Sequence, residues 1–191
     1  MKKIAITGGI CSGKSTVCKF IEELGYKVFY SDDEAIKLAN FDVSLIEEIV
    51  TEFGDEAYID GIYNRKYIGS IVFDDKAKLD KLNKIFSEHI KIAFNDFRKI
   101  NILEKVVFYE SALIFEHGKE NEFDNVICVY ADKKVIENRL KDRNGYTDEE
   151  IVTRLNSQMV SFTKLLMTPW HINTNNGVNI NIVKEILKKV I

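Results

Sequence analysis

The chain has 191 residues, of which 46% are hydrophobic and 30% are charged, and its formal net charge is −3. This length fits one well-buried core with an inserted lobe and is short for two independent domains. The composition is ordinary for a soluble globular protein, and the negative net charge argues against nucleic acid as the main partner. No apolar run approaches the roughly twenty residues needed to span a bilayer, so we expect no membrane partner.

The N-terminus and the cysteines indicate the cellular compartment. Met1 and two lysines lead directly into an apolar run, without the pattern of a signal peptide. The cysteines, Cys11, Cys18 and Cys128, form no C-x-x-C pair, and their odd number favours free thiols over a disulfide framework or a zinc site. We therefore expect a cytoplasmic protein in which Cys128, lying in an apolar run, fills the core.

The stretch from residue 2 to residue 24 carries the most informative motif. A short apolar run at residues 4–6 predicts a buried parallel strand. Apolar residues spaced i, i+3, i+4 and i+7 from Val17 predict a helix that ends at Gly25. Between them, the segment GGICSGKS fits the pattern G-x-x-x-x-G-K-[ST], in the order of strand, loop and helix that this phosphate-binding motif requires.

The chemistry of this loop follows from its residues. Glycines let the backbone curl so that successive N–H groups point at an anion, and the N-terminal end of the helix adds positive charge. Lys14 would reach the terminal phosphates, and the Ser15 hydroxyl would be a ligand for Mg²⁺. The loop therefore predicts a nucleoside triphosphate site; the alternative is a glycine turn with a chance lysine. For Cys11, a small residue that fits the loop is the simpler interpretation, and a thiol blocked by oxidation is the alternative.

Acidic residues follow the second predicted strand, which runs from Lys27 to Ser31. Asp32, Asp33 and Glu34 come directly after it. Ligands bind at the carboxyl ends of strands in α/β sheets, so a carboxylate at this point could accept the proton of an alcohol or hold a water on Mg²⁺. The alternative is an acidic first turn that the helix dipole favours.

The stretch from 33 to 100 has helical periodicity and little strand character, which predicts a helical lobe inserted between strands of the sheet. Helices are predicted at 43–53, from an Asn64 cap to residue 73, and at 75–100. The apolar stripe of the long helix indicates core packing, and His89 within it is more simply interpreted as structural than as a ligand.

The next predicted strand, residues 105–109, ends in Glu110. Its carboxylate could hold a Mg²⁺ water or a substrate hydroxyl at the edge of the sheet where ligands bind. The alternative is an acidic residue at the N-terminus of a helix.

The chain then continues with a strand at 125–131 and a charged helix at 133–143, which carries Arg139 and Arg143 on one face. Two arginines in this place suit a lid over a triphosphate, and a solvated face is the alternative. A weak strand at 171–174 and a final helix close the chain. Alternating strands and helices predict an α/β fold with a parallel sheet.

The assembled pattern resembles the dephospho-CoA kinase family over nearly the whole chain. TGGICSGKST resembles that family's own phosphate-binding loop, which is a more specific pattern than the general motif. VFYSDDEA is similar to the family's second-strand segment. DGIYNRKYIGSIVF, ESALIFE and VICVYADKKVIENRLKDRNG resemble three further segments, and Gln158 and Lys164 match later positions of its lid.

The resemblance implies a P-loop NTPase-type three-layer fold. It would have a parallel sheet of about five strands flanked by helices. The expected nucleotide-binding core comprises residues 1–31, 104–131 and 169–191, with a helical substrate-binding insertion at 32–103 and a helical lid at 132–168.

The resemblance also implies transfer of the γ-phosphate of ATP, with Mg²⁺, to the ribose 3′-hydroxyl of dephospho-CoA. Separately, we expect a monomer, and a weak oligomer is the alternative. The catalytic residues would be Asp32 as the base, Lys14 and Arg139, and the metal ligand would be Ser15. The ATP-binding residues would be Gly9, Ile10, Cys11, Ser12, Gly13, Lys14, Ser15, Thr16, Arg139, Arg143 and Asn175. The substrate-binding residues would be Thr7, Asp32, Arg65 and Glu110.

Two segments depart from the family pattern. Ser87-Glu88 stands where many members carry His-Pro, and the residues before Asn175 differ from the usual alanine-aspartate segment, so the adenine pocket is expected to differ in detail. One rival interpretation is another small-molecule P-loop kinase, acting on a nucleoside, a nucleoside monophosphate or shikimate. A GTPase-like switch is a second rival, but the chain lacks Asn-Lys-x-Asp and has no Asp-x-x-Gly after a strand.

Overall fold

The computed structural model of the protein describes residues 1–73, 75–144, 147–156, 159 and 161–191, and at 143, 144, 148, 154, 156 and 161 the backbone alone. In these ranges the strands are β1 (Lys2–Thr7), β2 (Lys27–Tyr30), β3 (Tyr58–Ile59), β4 (Ile62–Tyr63), β5 (Val106–Glu110), β6 (Asn125–Tyr130) and β7 (Trp170–Asn173). The α-helices are α1 (Lys14–Glu23), α2 (Ser31–Phe41), α3 (Val43–Phe53), α4 (Arg65–Val72), α5 (Lys76–Ile100), α6 (Lys133–Asn144), α7 (Asp148–Asn156), α8 (Ser161–Leu166) and α9 (Ile180–Val190).

The chain forms two compact units. The first unit comprises Met1–Tyr30 and Asn101–Ile191, and the second comprises Ser31–Ile100. The residues predicted as a lid, 132–168, belong to the first unit, and their role as a lid stays a prediction.

The first unit is built on a parallel sheet of strand order β2-β5-β1-β6-β7. This confirms the predicted α/β fold with five parallel strands flanked by helices. Central strand β1 pairs with β5 on one side and β6 on the other. The loop after β1 therefore leaves the sheet where the connections turn to opposite sides, which is the point at which open α/β sheets bind ligands.

The core of this unit explains why β1 reads as a continuous apolar run. Ile4 and Ile6 are fully buried and pack with Phe108 of β5, Val17 of α1 and Leu187 of α9. A strand covered in this way has no solvent face, so its hydrophobic residues do not alternate with polar ones.

The prediction that Cys128 fills the core is confirmed. The side chain is fully buried in β6, and burial raises the pKa of its thiol to about 11. Cys18 in α1 is also fully buried, and burial raises its thiol pKa as well. Both thiols are therefore protonated at neutral pH and enclosed by apolar neighbours.

Local capping signals place several helix ends. The side chain of Asn64 accepts a hydrogen bond from the backbone of Tyr67 at the start of α4, as predicted. Asn179 caps α9 by accepting from the N–H groups of Asn181 and Ile182. Helix α3 has the predicted bounds and ends before Gly54, whose φ of 90° suits glycine.

Three details differ from the sequence-based expectation. Ser31, predicted as the end of a strand, is the first residue of α2. Asp60 and Gly61 form a turn with φ of 52° and 77° that joins the strands of the hairpin β3–β4, which the sequence analysis did not predict. The alternative interpretation of Glu110 as a helix N-terminal acid is wrong, because this residue ends β5 and is followed by turns.

The second unit is a helical cluster with this short hairpin. Its core contains Leu45, Ile49 and Phe53 of α3 together with residues of α4 and α5. His89 of α5 is 7% exposed, and its ring nitrogens lie 3.5 Å from Asp42 Oδ1 and 3.2 Å from Glu48 Oε1. The histidine thus links α5 to α3 and its cap, which agrees with its predicted structural role.

None of the helices, as far as the chain is described, combines the length and the apolar character that crossing a membrane requires.

A buried ion pair ties α8 to the turn after β5. The ammonium of Lys164 is fully buried and lies 2.7 Å from both Glu116 Oε1 and the carbonyl oxygen of Ala112. Glu116 Oε1 also accepts a hydrogen bond from the backbone N–H of Met159. Local sequence patterns do not reveal these partners of Glu116, because Met159 and Lys164 lie more than forty residues further along the chain.

Lys164→Met removes the charge while keeping most of the side-chain length, and it leaves the Glu116 carboxylate without its cation. Breaking a buried pair in this way costs roughly 3–5 kcal/mol, so the free energy of unfolding measured in urea is expected to fall by about that amount. The matched control is Lys188→Met, which removes an exposed pair with Glu185 and is expected to leave the urea midpoint unchanged. Equal midpoints for the two variants would contradict the structural role of Lys164.

Candidate active site

The loop between β1 and α1 has a backbone that few residues can adopt. Gly8, Cys11 and Gly13 have φ of 149°, 52° and 95°, respectively. A Cβ on Gly8 would lie 2.0 Å from the carbonyl oxygen of Val129 in β6, so glycine is required there for space as well as for conformation. Cys11 adopts the left-handed conformation with a side chain, which costs about 1–2 kcal/mol.

Neighbouring elements hold the loop in this conformation. The N–H of Ser12 donates to the carbonyl oxygen of Gly9 at 3.2 Å. The guanidinium of Arg139, from α6, donates to the carbonyl oxygen of Cys11 at 3.1 Å. Ile10 and Cys11 also pack against the apolar cluster that joins α6 to α7. These contacts compensate for the strain at Cys11.

Lys14, the first residue of α1, lies within the curl of the loop. Its ammonium donates to the carbonyl oxygens of Gly8 at 3.0 Å and Gly9 at 3.1 Å. It also lies 3.9 Å from Glu110 Oε1, and the two side chains are 11% and 9% exposed. An ammonium with three donors in this mostly buried place is a point charge suited to a phosphate.

Arg139 and Thr174 form a second polar cluster beside the loop. Arg139 Nη1 donates to Thr174 Oγ1 at 3.0 Å, and Nη2 donates to the carbonyl oxygen of Thr174 at 2.5 Å. Thr174 Oγ1 in turn donates to the carbonyl oxygen of Ser12 at 2.7 Å. Thr174 follows β7 and is 1% exposed. Sequence reasoning assigned no role to Thr174, which only the fold brings next to the loop.

These groups surround a cavity of about 450 Å³ in the first unit. Lys14, Ser15, Thr16, Arg139 and Thr174 contribute to its lining. The volume lies in the range of small-molecule sites. Two cationic side chains and the N-terminus of α1 meet at this cavity, so its chemistry favours an anionic ligand.

Three other predicted site residues lie in the first unit with different partners. Thr7 is fully buried at the end of β1, and its hydroxyl lies 3.4 Å from the carbonyl oxygen of Ala112. Glu110 is buried at the end of β5, opposite Ile6 of β1. Asn175 accepts a hydrogen bond from the N–H of Asp132 at 2.7 Å and thereby fixes the start of α6.

Asp32 and Arg65 belong to the second unit. Asp32 is exposed in the first turn of α2, next to Asp33. Arg65 is exposed as the first residue of α4. Their roles toward a substrate stay predictions. The backbone of Arg143 is part of α6, but its side chain lies outside the described residues, as does Gln158 entirely.

The residues at the cavity fit a magnesium ion delivered with a nucleotide. The described ranges contain no group of three or more His, Cys, Asp or Glu side chains that could hold a metal ion. Mg²⁺ commonly keeps several waters and takes only one or two protein ligands beside substrate phosphates. The Ser15 hydroxyl on the cavity wall can supply one such oxygen.

Comparison with known proteins places the chain in a family. A family model described as dephospho-CoA kinase matches residues 2–179. The chain belongs to the dephospho-CoA kinase family. The dephospho-CoA kinase of Listeria monocytogenes is 34% identical over 180 residues, which cover 93% of this chain and 90% of that protein.

Solved structures agree with this dephospho-CoA kinase family fold. The crystal structure of TT1252 from Thermus thermophilus superimposes with a TM-score of 0.83 and 29% identity, covering 99% of this chain and 95% of that one. The dephospho-CoA kinase from Campylobacter jejuni gives a TM-score of 0.66 with 25% identity, covering 98% and 94%. The predicted resemblance to the family is therefore confirmed.

Proposed function

We propose that the protein transfers the γ-phosphate of ATP to the ribose 3′-hydroxyl of dephospho-CoA, giving CoA and ADP in the last step of coenzyme A synthesis. The observation that carries this proposal is the convergence of Lys14, Arg139 and the N-terminus of α1 on one cavity. Membership of the dephospho-CoA kinase family favours this acceptor over a nucleoside, a nucleoside monophosphate or shikimate.

The loop and Lys14 would bind the β- and γ-phosphates of ATP. Backbone N–H groups of such a curl face an anion, although those of Ser12 and Thr16 bond the carbonyl oxygens of Gly9 and Gly13. The ammonium of Lys14 would balance charge on the transferring group. Ser15 would hold Mg²⁺, which supplies further neutralisation of the phosphate oxygens when bound. Phosphoryl transfer needs little covalent chemistry from the protein, so positioning and charge are the main contributions.

Arg139, Arg143 and Asn175 would complete the ATP site. Arg139 already lies on the cavity wall, and an arginine there stabilises the negative charge of the transferring phosphoryl group. Residues 132–168 would act as a lid whose closure keeps water from taking the phosphate. Asn175 supports the site by anchoring the start of α6, which carries both arginines.

Asp32 would accept the proton of the acceptor hydroxyl. Its chain position supports this role, because it follows the carboxyl end of β2 by two residues and such strand ends are where α/β sheets bind ligands. Thr7, Arg65 and Glu110 would contribute to binding dephospho-CoA. The Glu110 carboxylate also lies 3.9 Å from the ammonium of Lys14, with which it forms an ion pair.

We also propose that the enzyme is a cytoplasmic monomer. The free cysteines, of which Cys18 and Cys128 are buried, suit a reducing compartment.

Purified protein with Mg-ATP is expected to phosphorylate dephospho-CoA with a kcat/KM at least about a hundredfold above that for AMP or shikimate. A site that hydrogen-bonds its own substrate rejects acceptors that leave its polar groups unpaired. Release of ADP in a coupled assay measures all three acceptors under the same conditions. Comparable values for the three acceptors would refute the substrate assignment and favour another small-molecule kinase.

Asp32→Asn is expected to lower kcat by roughly 10²–10⁴, the range for loss of a general base, with little change in ATP affinity. Asp33→Asn is the matched control, because it removes the neighbouring exposed carboxylate of the same helical turn. Its kcat is expected to stay near that of the wild type. If Asp32→Asn kept a normal kcat, or if both variants lost activity equally, Asp32 would not be the base.

A further inference from the structure

We infer that Thr174 is a positioning residue, whose hydroxyl fixes both the phosphate-binding loop and Arg139 for nucleotide binding. The inference deepens the proposed function and rests on it for the identity of the ligand. Thr174 itself stands outside the motif, after β7, and reaches the loop only through the fold.

The direction of each hydrogen bond at Thr174 is determined by its partners. Arg139 has only donors, so Thr174 Oγ1 accepts from Nη1 at 3.0 Å. The carbonyl oxygen of Ser12 has only acceptor capacity, so the hydroxyl hydrogen points to it at 2.7 Å. One hydroxyl thus serves as acceptor and donor at once, and neither valine nor alanine can replace it in this role.

The bond to Ser12 orients a peptide group of the loop. The carbonyl and the following N–H of a trans peptide point in opposite directions. Holding the Ser12 carbonyl on Thr174 therefore turns the N–H of Gly13 away from Thr174 and fixes the direction of one amide at the start of α1, where backbone N–H groups can bind an anion. Gly13 sits closely against Thr174, since a Cβ at Gly13 would lie 3.2 Å from Thr174 Cγ2.

The bonds to Arg139 fix a cation on the cavity wall. The side-chain and backbone oxygens of Thr174 hold Nη1 and Nη2, and Cys11 contributes a third acceptor from the loop. The rigid guanidinium therefore links Cys11, Thr174 and α6 in a single geometry. Loss of the Thr174 hydroxyl would remove one hydrogen bond of Arg139 and the hydrogen bond to the Ser12 carbonyl. Both changes would weaken the binding of an anion.

Thr174→Val tests this inference, because valine keeps the shape of threonine and lacks the hydroxyl. The Kd for Mg-ADP and the KM for ATP are expected to rise about ten- to hundredfold, as when hydrogen bonds to charged groups are lost. Thr174→Ser keeps the hydroxyl, and its affinity is expected to stay within about threefold of the wild type by the same reasoning. Calorimetric titration with Mg-ADP gives the Kd of the wild type and of each variant.

Thr168→Val is the matched control for loss of a buried threonine hydroxyl. Thr168 is 6% exposed, donates to the carbonyl oxygen of Val126 at 2.5 Å, and lies before β7. Thr168→Val is expected to lower the melting temperature while leaving the Kd for Mg-ADP unchanged. If Thr174→Val does not fold, Thr174→Ala, which also lacks the hydroxyl, replaces it in the comparison of Kd with Thr174→Ser and Thr168→Val.

Three results would overturn the inference. They are a normal Kd for Mg-ADP in Thr174→Val, an equal loss of affinity in Thr174→Ser, and an equal loss in Thr168→Val. The titration uses no acceptor, so it is separate from the proposed activity. A wild-type protein that binds Mg-ADP but leaves dephospho-CoA unphosphorylated contradicts the proposed function alone.

Discussion

The backbone curl between β1 and α1 is the constraint on which the rest of the site depends. Its φ angles at Gly8, Cys11 and Gly13 are all positive, a region that L-residues with side chains avoid. Position 8 also requires glycine for space, because any Cβ there would collide with the carbonyl oxygen of Val129. The curl therefore depends on glycine at positions 8 and 13, and on the central strand β1, which places the loop beside β6.

The curl also decides where charge collects. Cations of the protein itself bind carbonyl oxygens of the curl, since Lys14 donates to those of Gly8 and Gly9 and Arg139 donates to that of Cys11. The same arrangement leaves the helix N-terminus and two positive side chains at one cavity, where a polyphosphate is the complementary ligand. Membership of the dephospho-CoA kinase family then identifies the chemistry for which such a site is used.

Local signals in the sequence were sufficient for most of the fold. The phosphate-loop motif, the cap at Asn64 and the helical periodicity of residues 43–53 each act within a few residues, and the structure has helices where these signals predict them. The hairpin β3–β4 escaped prediction because two-residue strands show no periodicity. The network of Ser12, Arg139 and Thr174 was not predicted for a different reason. It joins residues up to 162 positions apart, and local sequence patterns carry no information on such contacts.

The central claim, that the loop and its lysine carry out phosphoryl transfer, is tested most directly by turnover of Mg-ATP and dephospho-CoA in a Lys14→Ala variant. Lys19→Ala removes an exposed lysine of the same helix and is the control. The account predicts that Lys14→Ala folds normally and loses at least about a hundredfold in kcat/KM, as when one preorganised charge-stabilising donor is removed, while Lys19→Ala stays active. Turnover of Lys14→Ala within about twofold of the wild type, less than the effect of any such donor, would contradict it.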